Sequence, residues 1–172
     1  MKAITVKLDP HSIENAINDI RAYEKEVKQK SMMLVQRLLD YGTNIARIKI
    51  VELGAVDTGD LLSGVSGYFS PLLNAGFVRV TSDHAAFVEF GTGVSLDNTL
   101  HPNAEYLARA AWAYGSGSKI FTTKDGKVGW IYPTDDGGFK FTEGMSSRPF
   151  MYETALELQR VFPNLVKAVF SS

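Results

Sequence analysis

Apolar residues recur at helical intervals through the first third of the chain. Ile13, Ile17, Ile20, Val27, Leu34, Leu38, Tyr41, Ile45 and Ile48 follow one another at steps of three, four or seven and define one stripe. Asp9 precedes the run as a capping carboxylate, and Pro10 takes the first helical position, where a missing N–H costs nothing. About forty helical residues would span roughly 60 Å, about twice the width of a small domain. That length makes Gln29 to Ser31 and Gly42 candidate break points. The stripe predicts a helix, or helix pair, packed on the chain's own sheet; the competing expectation is that part of it packs against a neighbouring subunit. Upstream, Ile4, Val6 and Leu8 alternate with polar residues and predict a short strand over 2–8.

Past Gly54 the pattern shifts to period two. Strands are expected over 65–69 and 75–81, joined by Pro71 to Asn74. Ala86, Val88 and Phe90 alternate with Phe87 and Glu89, which predicts a strand with the Glu89 carboxylate on its open face, stopped by Gly91-Thr92-Gly93. An alanine-rich helix is expected over 104–112. Asp125-Gly126 signals a hairpin between 119–123 and 127–132, and a second turn at 135–138 leads into 139–142. Trp130, Tyr132, Phe139 and Phe141 are expected to pair across these strands. Gly144 ends the run, Pro149 stands in the first turn of a closing helix, and Met151, Ala155, Leu158, Phe162, Leu165, Val166 and Val169 form its buried face, with Pro163 as a kink or break. Gly115 to Ser118 reads as a linker-like loop. The class is α+β: a long N-terminal helix, broken or whole, and a C-terminal helix packed on a mainly antiparallel sheet, in one domain over 1–172 with a hairpin and loop insertion at about 94–143.

At 172 residues and 18.9 kDa the chain can bury a continuous core without metal or disulfide staples. The absence of cysteine removes disulfides, thiolate zinc sites and thiol nucleophiles together. Met1 to Leu8 has no apolar run of signal or membrane length, so a soluble protein is expected. With 18 basic against 19 acidic residues, the net charge of -1 lacks the positive excess that drives phosphate-backbone binding.

Candidate chemistry is sparse. Asp57-Thr58-Gly59 matches the tripeptide of aspartic proteases, but it occurs once, without the apolar strand that presents it there, and reads as a turn. Ser82, Asp83 and His84 are adjacent, and adjacent residues of an extended chain point to opposite faces, so they read as a turn rather than a triad. The histidines at 11, 84 and 101 have no metal-ligand spacing, and His101 is expected to cap or pack. No cofactor is implied. A hydrolase would draw on Asp57, Asp60, Asp83, His84 and Glu89 and needs at least two of them to converge in a cleft. A nucleic-acid module would rest on the aromatic hairpin with Lys119, Lys124, Lys127 and Lys140.

One ordered set of motifs carries a resemblance. The long N-terminal helix is followed by Asp57-Thr58-Gly59-x-Leu61, by Ala86-Phe87-Val88-Glu89-Phe90-Gly91-Thr92-Gly93, and by His101-Pro102. Gly129-Trp130 and Gly144-Met145-Ser146-Ser147-Arg148-Pro149-Phe150-Met151 complete the set. In this order they resemble the tail-completion, or neck, proteins of long-tailed bacteriophages and prophages, over most of the chain. The resemblance implies a small α+β virion protein, not an enzyme, made in the bacterial host cytoplasm and built into the neck as a ring, commonly six-fold. Its implied partners are copies of itself, the head-tail connector, and the tail tube or tail terminator, with DNA passing through the lumen without sequence-specific binding and no membrane involved. It implies a turn at Asp57, Thr58 and Gly59, a bend from Glu89 through Gly91, Thr92 and Gly93, and docking of the last helix by Arg148, Pro149 and Phe150. Trp130, Gly144 and Met145 join these as structural or interface candidates.

Overall fold

The computed structural model of the chain describes residues 6–56, 59–73, 75–92, 99–112, 120–134 and 136–171. Helix α1 spans Pro10–Glu52 without interruption, 43 residues and about 64 Å at the α-helical rise. The Asp9 carboxylate accepts the Ser12 N–H at 2.9 Å, as the capping pattern predicts. At the far end Gly54, with φ of 62°, carries paired bonds from Gly54 N to Val51 O and from Ala55 N to Ile50 O. This is a Schellman cap.

The break expected at Gln29 to Ser31 or Gly42 does not occur. Gly42 instead lies where α1 is crossed most closely: an added Cβ there would sit 2.9 Å from Val78 Cγ2 and 3.0 Å from Leu158 Cδ1. Its cost to the helix, about 1 kcal/mol relative to alanine, is offset by that close approach. Nor do residues 6–8 form the described part of an N-terminal strand; residues 2–5 of that expectation lie outside the described residues.

Short helix α2 (Asp60–Ser63) leads into β1 (Val65–Ser70) and β2 (Ala75–Val80), an antiparallel pair running from Val65 opposite Val80 to Ser70 opposite Ala75. The pair and the last helix, α5 (Phe150–Phe170), pack on the C-terminal half of α1. Ala46, Ile50, Ala55, Leu61, Val65, Val88 and Phe150 form the core between them.

Residues 85–90, expected as a strand, form helix α3 (Ala85–Phe90). A short apolar run bounded by turns fits either structure on periodicity alone. Here the helix sets Phe87 and Phe90, three apart, against one ring, Trp112, at 5.3 and 5.2 Å. Helix α4 (Ala104–Arg109) is shorter than the pattern suggests and ends in a second Schellman cap, with Ala111 at φ of 50° and Trp112 N bonded to Leu107 O.

Strands β3 (Phe121–Thr122), β4 (Val128–Pro133) and β5 (Phe139–Thr142) make a separate antiparallel sheet. Asp125-Gly126 turns the first hairpin, with φ of 83° at Gly126. None of the four aromatic residues lies opposite another: Trp130 lies opposite Thr142 and Tyr132 opposite Lys140, whereas Phe141 and Phe139 lie opposite Ile131 and Pro133 on the other face. Phe141 packs instead on Phe121, 5.6 Å away, across the space left by Gly129.

Helix α5 runs through Pro163, which neither ends nor splits it. Interior proline leaves one carbonyl, that of Gln159, without its helical donor and crowds the preceding turn. Pro163 is exposed, so replacement adds no clash. Pro163→Ala is therefore expected to raise stability by about 1–3 kcal/mol, read as a higher urea midpoint at unchanged m-value.

Candidate functional site

Two stretches about sixty residues apart close on one another around Glu89. Its side chain, expected on an open strand face, is buried at 4% exposure. One carboxylate oxygen accepts the Met151 N–H at 2.8 Å and the other the Tyr152 N–H at 2.9 Å. These are free amides of the first turn of α5, so Glu89 caps that helix from a distant part of the chain. Pro149, expected inside the first turn, is the residue before it and makes no side-chain cap.

Backbone bonds complete the junction. Arg148 N–H donates to Val88 O at 2.8 Å, Thr92 N–H to Met145 O at 3.0 Å, and Ser147 N–H to Thr99 O at 2.8 Å. The Thr92 hydroxyl accepts from Met145 N at 2.7 Å, and the Ser147 hydroxyl donates to Glu89 O. Gly91 closes α3 with φ of 73° and ψ of 175°, a region open essentially to glycine alone.

His101 faces the carboxylate, with Nε2 3.4 Å from Glu89 Oε1. On the other side of the ring, His101 Nδ1 lies 3.1 Å from Asn103 N and 3.3 Å from Asn103 O. Phe90, Tyr106 and Tyr152 surround this ring at 5.4 to 5.7 Å, and Trp112 Nε1–H donates to Gly91 O. Glu89 and His101 side chains are 6% and 0% exposed, so the acid–base pair is closed to any substrate. Its chemistry is structural.

Burial pushes the Glu89 carboxyl above the ordinary carboxylate range, opposed by the Met151 and Tyr152 amides and by His101. The folded group then keeps its proton where the unfolded chain has lost it. Its contribution to stability is complete below the unfolded pKa and is lost as pH rises through the folded pKa. The stability of the native chain relative to Glu89→Gln is therefore expected to fall as pH rises from the unfolded value of 4.5. The slope is at most about 1.4 kcal/mol per pH unit and levels off above the folded pKa. Urea unfolding in a pH series reads it.

Of the other sequence-derived candidates, Gly144 (φ of 84°), Met145, Arg148, Pro149 and Phe150 belong to this junction, and Phe150 is 1% exposed. Gly59 caps α2 at φ of 89°, and Trp130 lies apart in the three-stranded sheet. Asp57, Thr58 and Gly93 lie outside the described residues. The role of His101 beside Glu89 was not legible: the one signal was a lone carboxylate inside an apolar run, which marks Glu89 and names no partner.

Asp60, Asp83 and His84 line one polar hollow of about 400 Å³ with Ser63, Thr81 and Ser82. Ser82 is tied into the turn, its hydroxyl accepting the His84 backbone N–H and its carbonyl that of Ala85. No three ligating side chains among the described residues are placed to hold a metal ion.

Apolar side chains are exposed along α1 and beside α5. The N-terminal half of α1 projects with Ile13 and Ile17 at 43% exposure and Ile20 at 55%. A groove of about 600 Å³ runs between α1, β2 and α5, bounded by Leu38, Phe77, Met151, Leu158 and Phe162. No described helix is long and apolar enough to cross a membrane.

The arrangement is that of an α+β protein with a closed internal junction and extended apolar faces. Comparison with family models, with curated proteins and with solved structures returns no match.

Proposed function

We propose that the protein is a structural component of a bacteriophage neck, assembling as a ring, six-fold by the resemblance of its motifs, that completes the tail and joins it to the head-tail connector. The observation that carries this reading is the surface: large apolar side chains stand exposed along the N-terminal half of α1 and on both sides of the α1–β2–α5 groove. Obligate subunit interfaces bury about 1,000 to 2,500 Å² per partner, and a ring subunit has two such faces. The burial of both Glu89 and His101 supports a framework role for this pair. Near-neutral net charge lets duplex DNA pass the lumen without being held. The partners are then the connector on one side and the tail tube or terminator on the other, and the site of action is the virion.

Light scattering over a concentration series, followed by electron microscopy, tests the reading. Closed rings with a central channel are expected. Open filaments overturn it, as does a monomer that also fails to cosediment with tailless, connector-bearing heads.

The convergence of Asp60, Asp83 and His84 on one hollow favours a second reading, a small hydrolase. It predicts ester or phosphoester turnover that Asp83→Asn abolishes; no turnover on either substrate class removes it.

A further inference from the structure

The apolar face of α1 continues past the body of the fold. Ile17 and Val35 are eighteen residues apart, as are Ile20 and Leu38, which is five full helical turns. That face packs on β2 and α5 in the C-terminal half, and in the N-terminal half Ile13, Ile17 and Ile20 stand 43% to 55% exposed around a buried Ala16. The groove that begins at Val35 and Leu38 is in turn apolar and open, with Phe77 and Phe162 half exposed on its sides. Along α5 it extends from Met151 to Phe162, about 17 Å, and the stripe from Ile13 to Ile20 is about 11 Å long. Two to three turns of helix fit it.

From this we infer that the Ile13, Ile17 and Ile20 stripe of one copy lies in the α1–β2–α5 groove of the next. The occupant is a second copy because one uninterrupted helix carries both surfaces. Ile20 stands about 22 Å along the rod from Val35, so a chain cannot fill its own groove. The groove lining carries no charged side chain and the stripe meets it with three isoleucines, while Glu24, next along the same face, is exposed and pairs with Lys28. The contact is heterologous, one face against a different one, and each copy retains a free stripe at one end and a free groove at the other. It rests on the assembly reading in requiring that copies associate, and it names the surfaces that do so.

The test uses two variants of the full chain. Ile17→Glu with Ile20→Glu spoils the stripe and keeps the groove; Phe162→Glu spoils the groove and keeps the stripe. Each is expected to be monomeric where the native chain is assembled, with association weakened about 100-fold or more. Mixed in equal amounts they are expected to form a one-to-one pair and nothing larger, because a single intact stripe and a single intact groove remain. Thermal unfolding checks the fold, and Phe77→Ser reads the groove independently if Phe162→Glu unfolds. Native association undiminished in both variants, a mixture that stays monomeric, or a native chain that is monomeric at every concentration overturns the inference. Rings that survive both variants overturn this contact and leave the neck reading standing. Complementing variants of a chain that forms open filaments do the reverse.

Discussion

Glu89→Ala is expected to cost about 2–6 kcal/mol of stability, the loss that follows when two helix-terminal donors are left without their acceptor. The side chain is sealed from solvent and accepts the Met151 and Tyr152 amides through separate oxygens, with His101 Nε2 3.4 Å away. Truncation leaves two part-buried helix-terminal donors without their acceptor, each costing up to about 1–3 kcal/mol, and removes the carboxyl group that faces His101. At roughly 2–4 °C per kcal/mol for a chain of this length, the melting temperature should fall by about 10 °C. Glu89→Gln keeps the shape and one acceptor oxygen, so it should lose about half as much or less. Calorimetry of the two variants separates a specific junction from a tolerant one. A loss under about 1 kcal/mol in Glu89→Ala, the value of a typical net hydrogen bond, is incompatible with the role assigned to this carboxylate.

Gly91→Ala should be nearly as damaging for a different reason. The φ and ψ of 73° and 175° alone cost an L-residue about 1–3 kcal/mol. An alanine Cβ would in addition sit 2.5 Å from Ser147 N and 2.8 Å from Met145 O, both backbone atoms of the opposing stretch. Neither can yield without parting Thr92 from Met145 or Ser147 from Thr99. The expected total is about 3 kcal/mol or more. The loss concentrates at the junction, so hydrogen exchange at the Ser147 and Arg148 amides should quicken more than exchange in the middle of α1. The two substitutions damage one unit, and their combined cost should fall short of the sum.

Much of the fold was legible because its signals are local. Asp9 and Pro10 start α1 and Gly54 ends it through bonds within one turn. The β1–β2 and β3–β4 hairpins follow from their turn residues, and the α+β class follows from the order of periods. The misread positions answer to distant partners. Ala85–Phe90 became a helix through Trp112 and the amides of α5, and α1 stayed whole at Gly42 because Val78 and Leu158 occupy the space beside it. The aromatic residues of β4 and β5 divided between faces by a register that aromatic content does not encode.

For the candidate site the division is sharper. Sequence order alone picked out both stretches, 86–93 and 144–151, because each carries a glycine stop and an abrupt change of pattern. Only tertiary structure decided that they face one another and that Glu89 is the inward group binding them. The reason is physical: a carboxylate in an apolar run has the same local sequence whether it points to water or to two amides sixty residues away. The same holds for the stripe of α1. Its periodicity dictates a helix with one apolar face, and the extent of the body beneath it dictates where that face runs out of cover.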